Sequence, residues 1–233
     1  MIEIYLFFLR WIHFLAGITW IGILYYFNFI QTPFFAETEA PIRSGAIQKL
    51  VPRALWWFRW GAMFTFLAGL LLYLDKLLRV GGAAFYDSSY GLAITIGGLM
   101  GTLMFLNVWL VIWPKQQIVI ASTGQVAQGG QPLPEAAGSA RRASLASRTN
   151  TLFSIPMLFL MGAASHYPSI AGQASVSKAG FWIISLAIIG AVELNCLVGT
   201  QGAAKKPLDS VSGTIWAGFI LTAILYLLFM LLL

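Results

Sequence analysis

The sequence predicts an all-α, polytopic integral membrane bundle of about six transmembrane helices, and three observations carry that reading. Hydrophobic residues make up 59% of the chain and charged residues 9%, and the mean hydropathy is +0.80, far from the range of soluble domains. Apolar runs of membrane-crossing length recur between short polar stretches bearing Gly and Pro. A hydrocarbon core of ~30 Å needs ~20 apolar residues per helix, so 233 residues hold six spans and their loops in a single transmembrane domain.

The spans are expected near 4–30, 54–74, 91–113, 150–167, 179–199 and 212–232. The first is too long for a signal-peptide core and has no small-residue cleavage site behind it, so it reads as a retained span. The fourth is short and carries Pro156, yet as an exposed apolar loop it would strand backbone polar groups. Residues 32–53, with Glu37, Glu39, Arg43, Lys49 and Arg53, read as an interfacial loop that re-enters the membrane at Trp56 and Trp57. Residues 114–148, rich in Gly, Ala, Gln and Ser, read as a flexible cytoplasmic loop.

Charge sets the expected orientation. Six spans place Arg43, Lys49, Arg53, Arg59, Lys115, Arg141, Arg142, Arg148, Lys205 and Lys206 on one side, against Lys76, Arg79 and Lys178 on the other. The positive-inside rule makes the richer side cytoplasmic and both termini periplasmic, in a multi-pass protein of the bacterial inner membrane. The net charge of +6 is thereby accounted for by membrane anchoring, with no nucleic-acid partner. Cys196, the one cysteine, excludes an intramolecular disulfide, a Cys-rich zinc site and a C-x-x-C-H haem attachment. No H-E-x-x-H, Walker or dinucleotide fingerprint is present, which leaves hydrolase and nucleotide-driven pump without support.

Ionisable groups inside a bilayer are expensive enough to be treated as functional candidates, and both histidines qualify. In the first span Arg10, His13, Gly17, Trp20, Leu24 and Asn28 recur every three or four residues, forming one stripe that should face protein. His166 closes the fourth span with Gly162 one turn before it. The two helices run in opposite directions, so each imidazole has a glycine one turn deeper and both belong to the outer half of the bilayer. A glycine there clears room for a flat macrocycle, and neutral imidazole is an axial ligand of haem iron. Bis-histidine haem b on His13 and His166 is the expectation, with Gly17 and Gly162 giving clearance and Arg10 neutralising a propionate. The plainer alternative makes each histidine an interhelical donor and each glycine a packing contact.

Asn28, Asn107, Asn150 and Glu193, with Asn195, could form a polar network or a proton route, or serve as hydrogen-bonded glue between helices. Gly97 and Gly101 form a G-x-x-x-G packing surface, and Arg59 is expected to snorkel to the cytoplasmic interface.

Four segments carry a family resemblance: WIHFLAGITWIGILYYFNFIQTPFF from Trp11, LVPRALWWFRWGAMFTFLAGLL from Leu50, GTLMFLNVWLVIWPKQQ from Gly101 and SRTNTLFSIPMLFLMGAASHYP from Ser147. They resemble the membrane domain of the bacterial cytochrome c-linked urate oxidases, also called urate hydroxylases. A more remote similarity, around His13, is to membrane protoporphyrinogen oxidases that bind haem. The resemblance implies an oxidoreductase that oxidises urate and passes electrons to a periplasmic c-type cytochrome, with His13 and His166 as haem or redox residues and Arg10, Asn107 and Asn150 as polar support. In that family the cytochrome follows the membrane domain; here no C-x-x-C-H occurs before Leu233, so a separate cytochrome or a quinone is the expected electron partner. The competing expectation is a non-enzymatic accessory subunit of a larger membrane complex. A transporter is a third, without a repeat or broken helices to support it.

Overall fold

The computed structural model describes residues 2–171 and 176–233, and these are helical without a strand. The chain runs through α1 (Ile2–Glu37), α2 (Ala40–Lys49), α3 (Val51–Val80), α4 (Gly82–Asp87), α5 (Ser89–Ala127), α6 (Ala136–His166), α7 (Lys178–Leu197), a 3-10 segment (Ala203–Asp209) and α8 (Val211–Leu232). Among the described residues α1, α3, α5, α7 and α8 are long and apolar enough to cross a membrane. Their surfaces carry exposed Phe7, Phe14, Ile18, Leu110, Ile183, Phe219 and Leu231, apolar area that requires lipid rather than water against it. The protein is a multi-pass helical membrane protein.

The fourth expected span, 150–167, falls on the C-terminal half of α6, a helix less apolar than the membrane-crossing five because its middle is polar. Those polar residues are buried: Arg148, Thr149, Asn150, Thr151 and Ser154 all lie inside protein. Where a stretch of helix is buried against other helices, it has no lipid-facing surface there to keep apolar. The stretch expected as a flexible loop, 114–148, is also largely helical, with α5 running on to Ala127 and α6 beginning at Ala136. Ser122 Oγ pins the intervening turn by accepting from Leu133 N–H at 3.0 Å. The interfacial loop 32–53 likewise folds into the end of α1, α2 and the start of α3.

Two membrane helices contain a π-helical turn, at Tyr26–Gln31 in α1 and Asn107–Ile112 in α5. In each a backbone N–H reaches five residues back, Thr32 to Phe27 and Trp113 to Val108, and Thr32 Oγ1 adds a second bond to the Phe27 carbonyl at 2.7 Å. Each turn is followed by a proline, Pro33 or Pro114, in the first turn of the continuing helix. A proline ring crowds the carbonyl four residues back and offers no N–H, and one widened turn lets the helix pass it without breaking.

Two compact units form: residues Met1–Ala68 with Phe105–Asn150, and residues Gly69–Met104 with Thr151–Leu233. Each unit is assembled from separated stretches of chain. In the first unit α1 and α3 approach at Gly61, where a Cβ would lie 3.2 Å from Trp20 N and 3.3 Å from the Ala16 carbonyl oxygen. Phe66 stacks on Phe105 with centroids 4.3 Å apart, and Phe27 meets Phe58 edge to face. In the second unit Gly97 and Gly101 lie against Met157 and Met161 of α6, so the G-x-x-x-G is a packing surface. Gly218 brings α8 onto α6, where a Cβ would lie 2.9 Å from the Leu152 carbonyl oxygen. α7 and α8 both start on a serine cap, Ser177 accepting from Gly180 N–H and Ser210 from Gly213 N–H.

Candidate functional site

The stripe on α1 turns inward along its length. Trp20, Leu24 and Asn28 are buried, Gly17 and His13 are half-buried, and Arg10 is exposed. His13 sits where the stripe emerges, with Nδ1 2.8 Å from the carbonyl oxygen of Thr65 on α3. A carbonyl only accepts, so Nδ1 carries the proton and the neutral ring presents a bare lone pair on Nε2. Thr65 is held in place by its own hydroxyl, which donates to the Gly61 carbonyl at 2.7 Å. Gly17 lies beside the same residue, with a Cβ there at an ordinary 3.7 Å from the Thr65 methyl. The α1–α3 approach at Gly61 therefore also sets the imidazole's tautomer and direction.

His166 ends α6 in the second unit and is exposed, and a Cβ built on Gly162 would meet nothing within 4 Å. The glycine one turn before His166 thus leaves open space. No group of three or more His, Cys, Asp or Glu side chains gathers among the described residues.

Of the polar residues expected to act together, Asn28, Asn107 and Asn150 belong to the first unit and Glu193 and Asn195 to the second. Asn28, inside the first π turn, donates through Nδ2 to Ser147 Oγ at 2.8 Å and to the Leu24 carbonyl at 2.8 Å. Asn107, first residue of the second π turn, donates through Nδ2 to Asn150 Oδ1 at 3.0 Å. Both widened turns thus deliver an amide to the same buried stretch of α6, residues 147–150. π turns concentrate at functional sites because they re-aim a side chain without ending the helix. Glu193 is buried in α7 of the second unit. Asn195 serves the end of α7, donating to the Ala204 carbonyl at 3.0 Å.

Three basic residues counted as cytoplasmic anchors have other surroundings. Arg148 is 5% exposed, and its Nη1 is buried without a hydrogen-bond acceptor. Lys205 is 3% exposed and places Nζ on the carbonyls of Asn195 and Val198, the latter at 2.9 Å, where a cation complements the C-terminus of α7. Arg59 lies with its guanidinium carbon 3.8 Å from the Trp113 ring centre and 5.0 Å from that of Trp109, and its buried Nε has no partner. The faces of these rings stabilise the cation where it lies. The signal for Arg148 was its place in an unbroken Ser-Arg-Thr-Asn-Thr run leading straight into apolar sequence.

The family model described as urate oxidase N-terminal matches residues 84–228, more than half of the chain. Of the four segments that carry the resemblance, those from Gly101 and Ser147 lie inside the matched range and those from Trp11 and Leu50 lie before it. No curated protein and no solved structure gives a significant match.

Proposed function

The chain belongs to the urate oxidase N-terminal family, and from that premise we propose that it is a haem b-type electron-transfer protein of the bacterial inner membrane. The observation that supports this most is the His13 Nδ1 bond to the Thr65 carbonyl. Ligating histidines characteristically donate their other ring N–H to a carbonyl or carboxylate, which fixes the ring and raises its basicity. His13 would hold the iron through Nε2, and the sequence nominates His166 as the second ligand. Arg10, exposed one turn nearer the N-terminus, would meet a propionate with a permanently charged fork. A bound haem b supplies reversible one-electron chemistry at iron. The protein's own contribution is orientation: Thr65 holds the imidazole, and Gly61 holds Thr65. Electrons would pass to a c-type cytochrome or a quinone, with urate as the candidate donor.

Absorption spectra of the detergent-purified chain, before and after dithionite, test this reading. A Soret band that shifts on reduction and is lost or displaced in His13→Ala and in His166→Ala is expected. A band identical in both variants refutes the ligands. A protein with no band refutes the haem and leaves the accessory-subunit reading.

A further inference from the structure

We propose that the Arg148 guanidinium binds an anionic ligand through its carboxylate or phosphate oxygens inside the first unit. Arg148 is 5% exposed and Thr149 0% exposed, and Arg148 Nη1 and Thr149 Oγ1 are both buried without a hydrogen-bond partner. A cation taken out of water without a counter-charge is among the most expensive arrangements a fold can hold. The first unit offers no internal counter-charge, because its carboxylates, Glu3, Glu37, Glu39 and Glu135, are all exposed.

The flanking residues of the same run are already engaged. Ser147 accepts from Asn28 and Asn150 accepts from Asn107, each from a π turn. These two bonds clamp α6 on either side of Arg148 and Thr149 and leave those two as the residues with donors to spare. The rest of the unit's interior shows the same imbalance. Trp20 Nε1, Arg59 Nε and Trp109 Nε1 are further buried donors without acceptors, against Gln31 Oε1 as an orphaned acceptor. An interior with surplus N–H groups and a fixed positive charge favours a ligand that brings acceptors and negative charge. The planar guanidinium fork matches a two-oxygen face such as carboxylate or phosphate. Such oxygens come either from a diffusible anion or from the headgroup of an anionic phospholipid. The site is independent of the haem reading, since it involves neither histidine.

The test follows thermal unfolding of the full chain by tryptophan fluorescence in neutral detergent. Sodium phosphate is compared with sodium chloride at matched ionic strength, and phosphatidylglycerol with phosphatidylcholine in mixed micelles. At about ten times its Kd, a ligand should raise the wild-type midpoint by about 3–6 °C. The rise should vanish in Arg148→Gln, shrink in Arg148→Lys, and persist in Arg53→Gln, a substitution at an exposed arginine. A rise with phosphate identifies the diffusible anion, and a rise with phosphatidylglycerol alone identifies the headgroup. No rise with either probe in the wild type overturns the proposal, as does a rise of equal size in Arg148→Gln. Should Arg148→Gln fail to fold, the wild-type response and its loss of size in Arg148→Lys decide the matter.

Discussion

The amide pair Asn107–Asn150 joins α5 to α6 through a 3.0 Å bond between residues that are 2% and 0% exposed, and a double-mutant cycle measures what that bond is worth. Replacing either residue by alanine removes the bond and strands a buried amide group on the other. That unmet desolvation is worth about 1–3 kcal/mol, so each single variant should lose stability of that order. Asn107 and Asn150 each make further contacts, and those losses enter the single variants and cancel in the cycle. What survives is the pairwise term, which for hydrogen bonds between membrane helices averages about 0.6 kcal/mol and reaches about 1.7 kcal/mol. The double variant should therefore be less destabilised than the sum of the singles, by a factor of about 3–18 in the unfolding equilibrium constant. The assay is reversible unfolding in mixed micelles titrated with dodecyl sulfate, followed by intrinsic tryptophan fluorescence. Additivity within about 0.3 kcal/mol would show that the two amides do not bond, and would remove one of the two ties by which the π turns hold α6.

Other consequences of the packing can be read with the same assay. Gly61→Val should destabilise by about 1–3 kcal/mol, because the side chain would meet the backbone of Trp20 and Ala16, which has little freedom to yield; a neutral result would mean the α1–α3 approach is looser than described. Lys205→Met should cost about 1.5–3 kcal/mol through lost charge-assisted bonds to the end of α7, and Lys205→Arg should recover part of it; equal losses in both would point to packing instead. Asp87→Asn should change stability by less than about 1 kcal/mol, and less at high salt, because its ion pair with Lys178 is solvent-exposed; a loss above about 2 kcal/mol would contradict that exposure. Pro114→Ala should let the π turn at Asn107–Ile112 relax towards α geometry and weaken the Asn107 contact, visible as a smaller coupling energy in the Asn107–Asn150 cycle; an unchanged coupling would show that the turn does not depend on the proline.

Lipid was legible as the solvent from composition alone, because a hydrocarbon environment imposes long apolar runs and these are visible without knowing any contact. Five of the six expected spans have that length and apolarity. The family was legible too, since ordered segments such as that from Ser147 survive as strings of residues. The histidine stripe was half legible. Helical period put His13, Gly17 and Trp20 on one face, but the carbonyl that orients the imidazole belongs to Thr65, fifty-two residues away, and no local pattern contains it.

What only tertiary structure decided concerns α6 and the polar groups on it. A basic residue beside an apolar run has the same appearance in sequence whether it snorkels into water or is enclosed, and Arg148 and Lys205 are enclosed. Enclosure depends on helices distant in the chain arriving on every side, so it is a property of the assembly and not of the segment. The π turns follow the same logic. Pro33 and Pro114 were visible as local obstacles, but whether each helix would break, kink or widen by one residue was decided by what the widened turn could reach: Ser147 for Asn28 and Asn150 for Asn107.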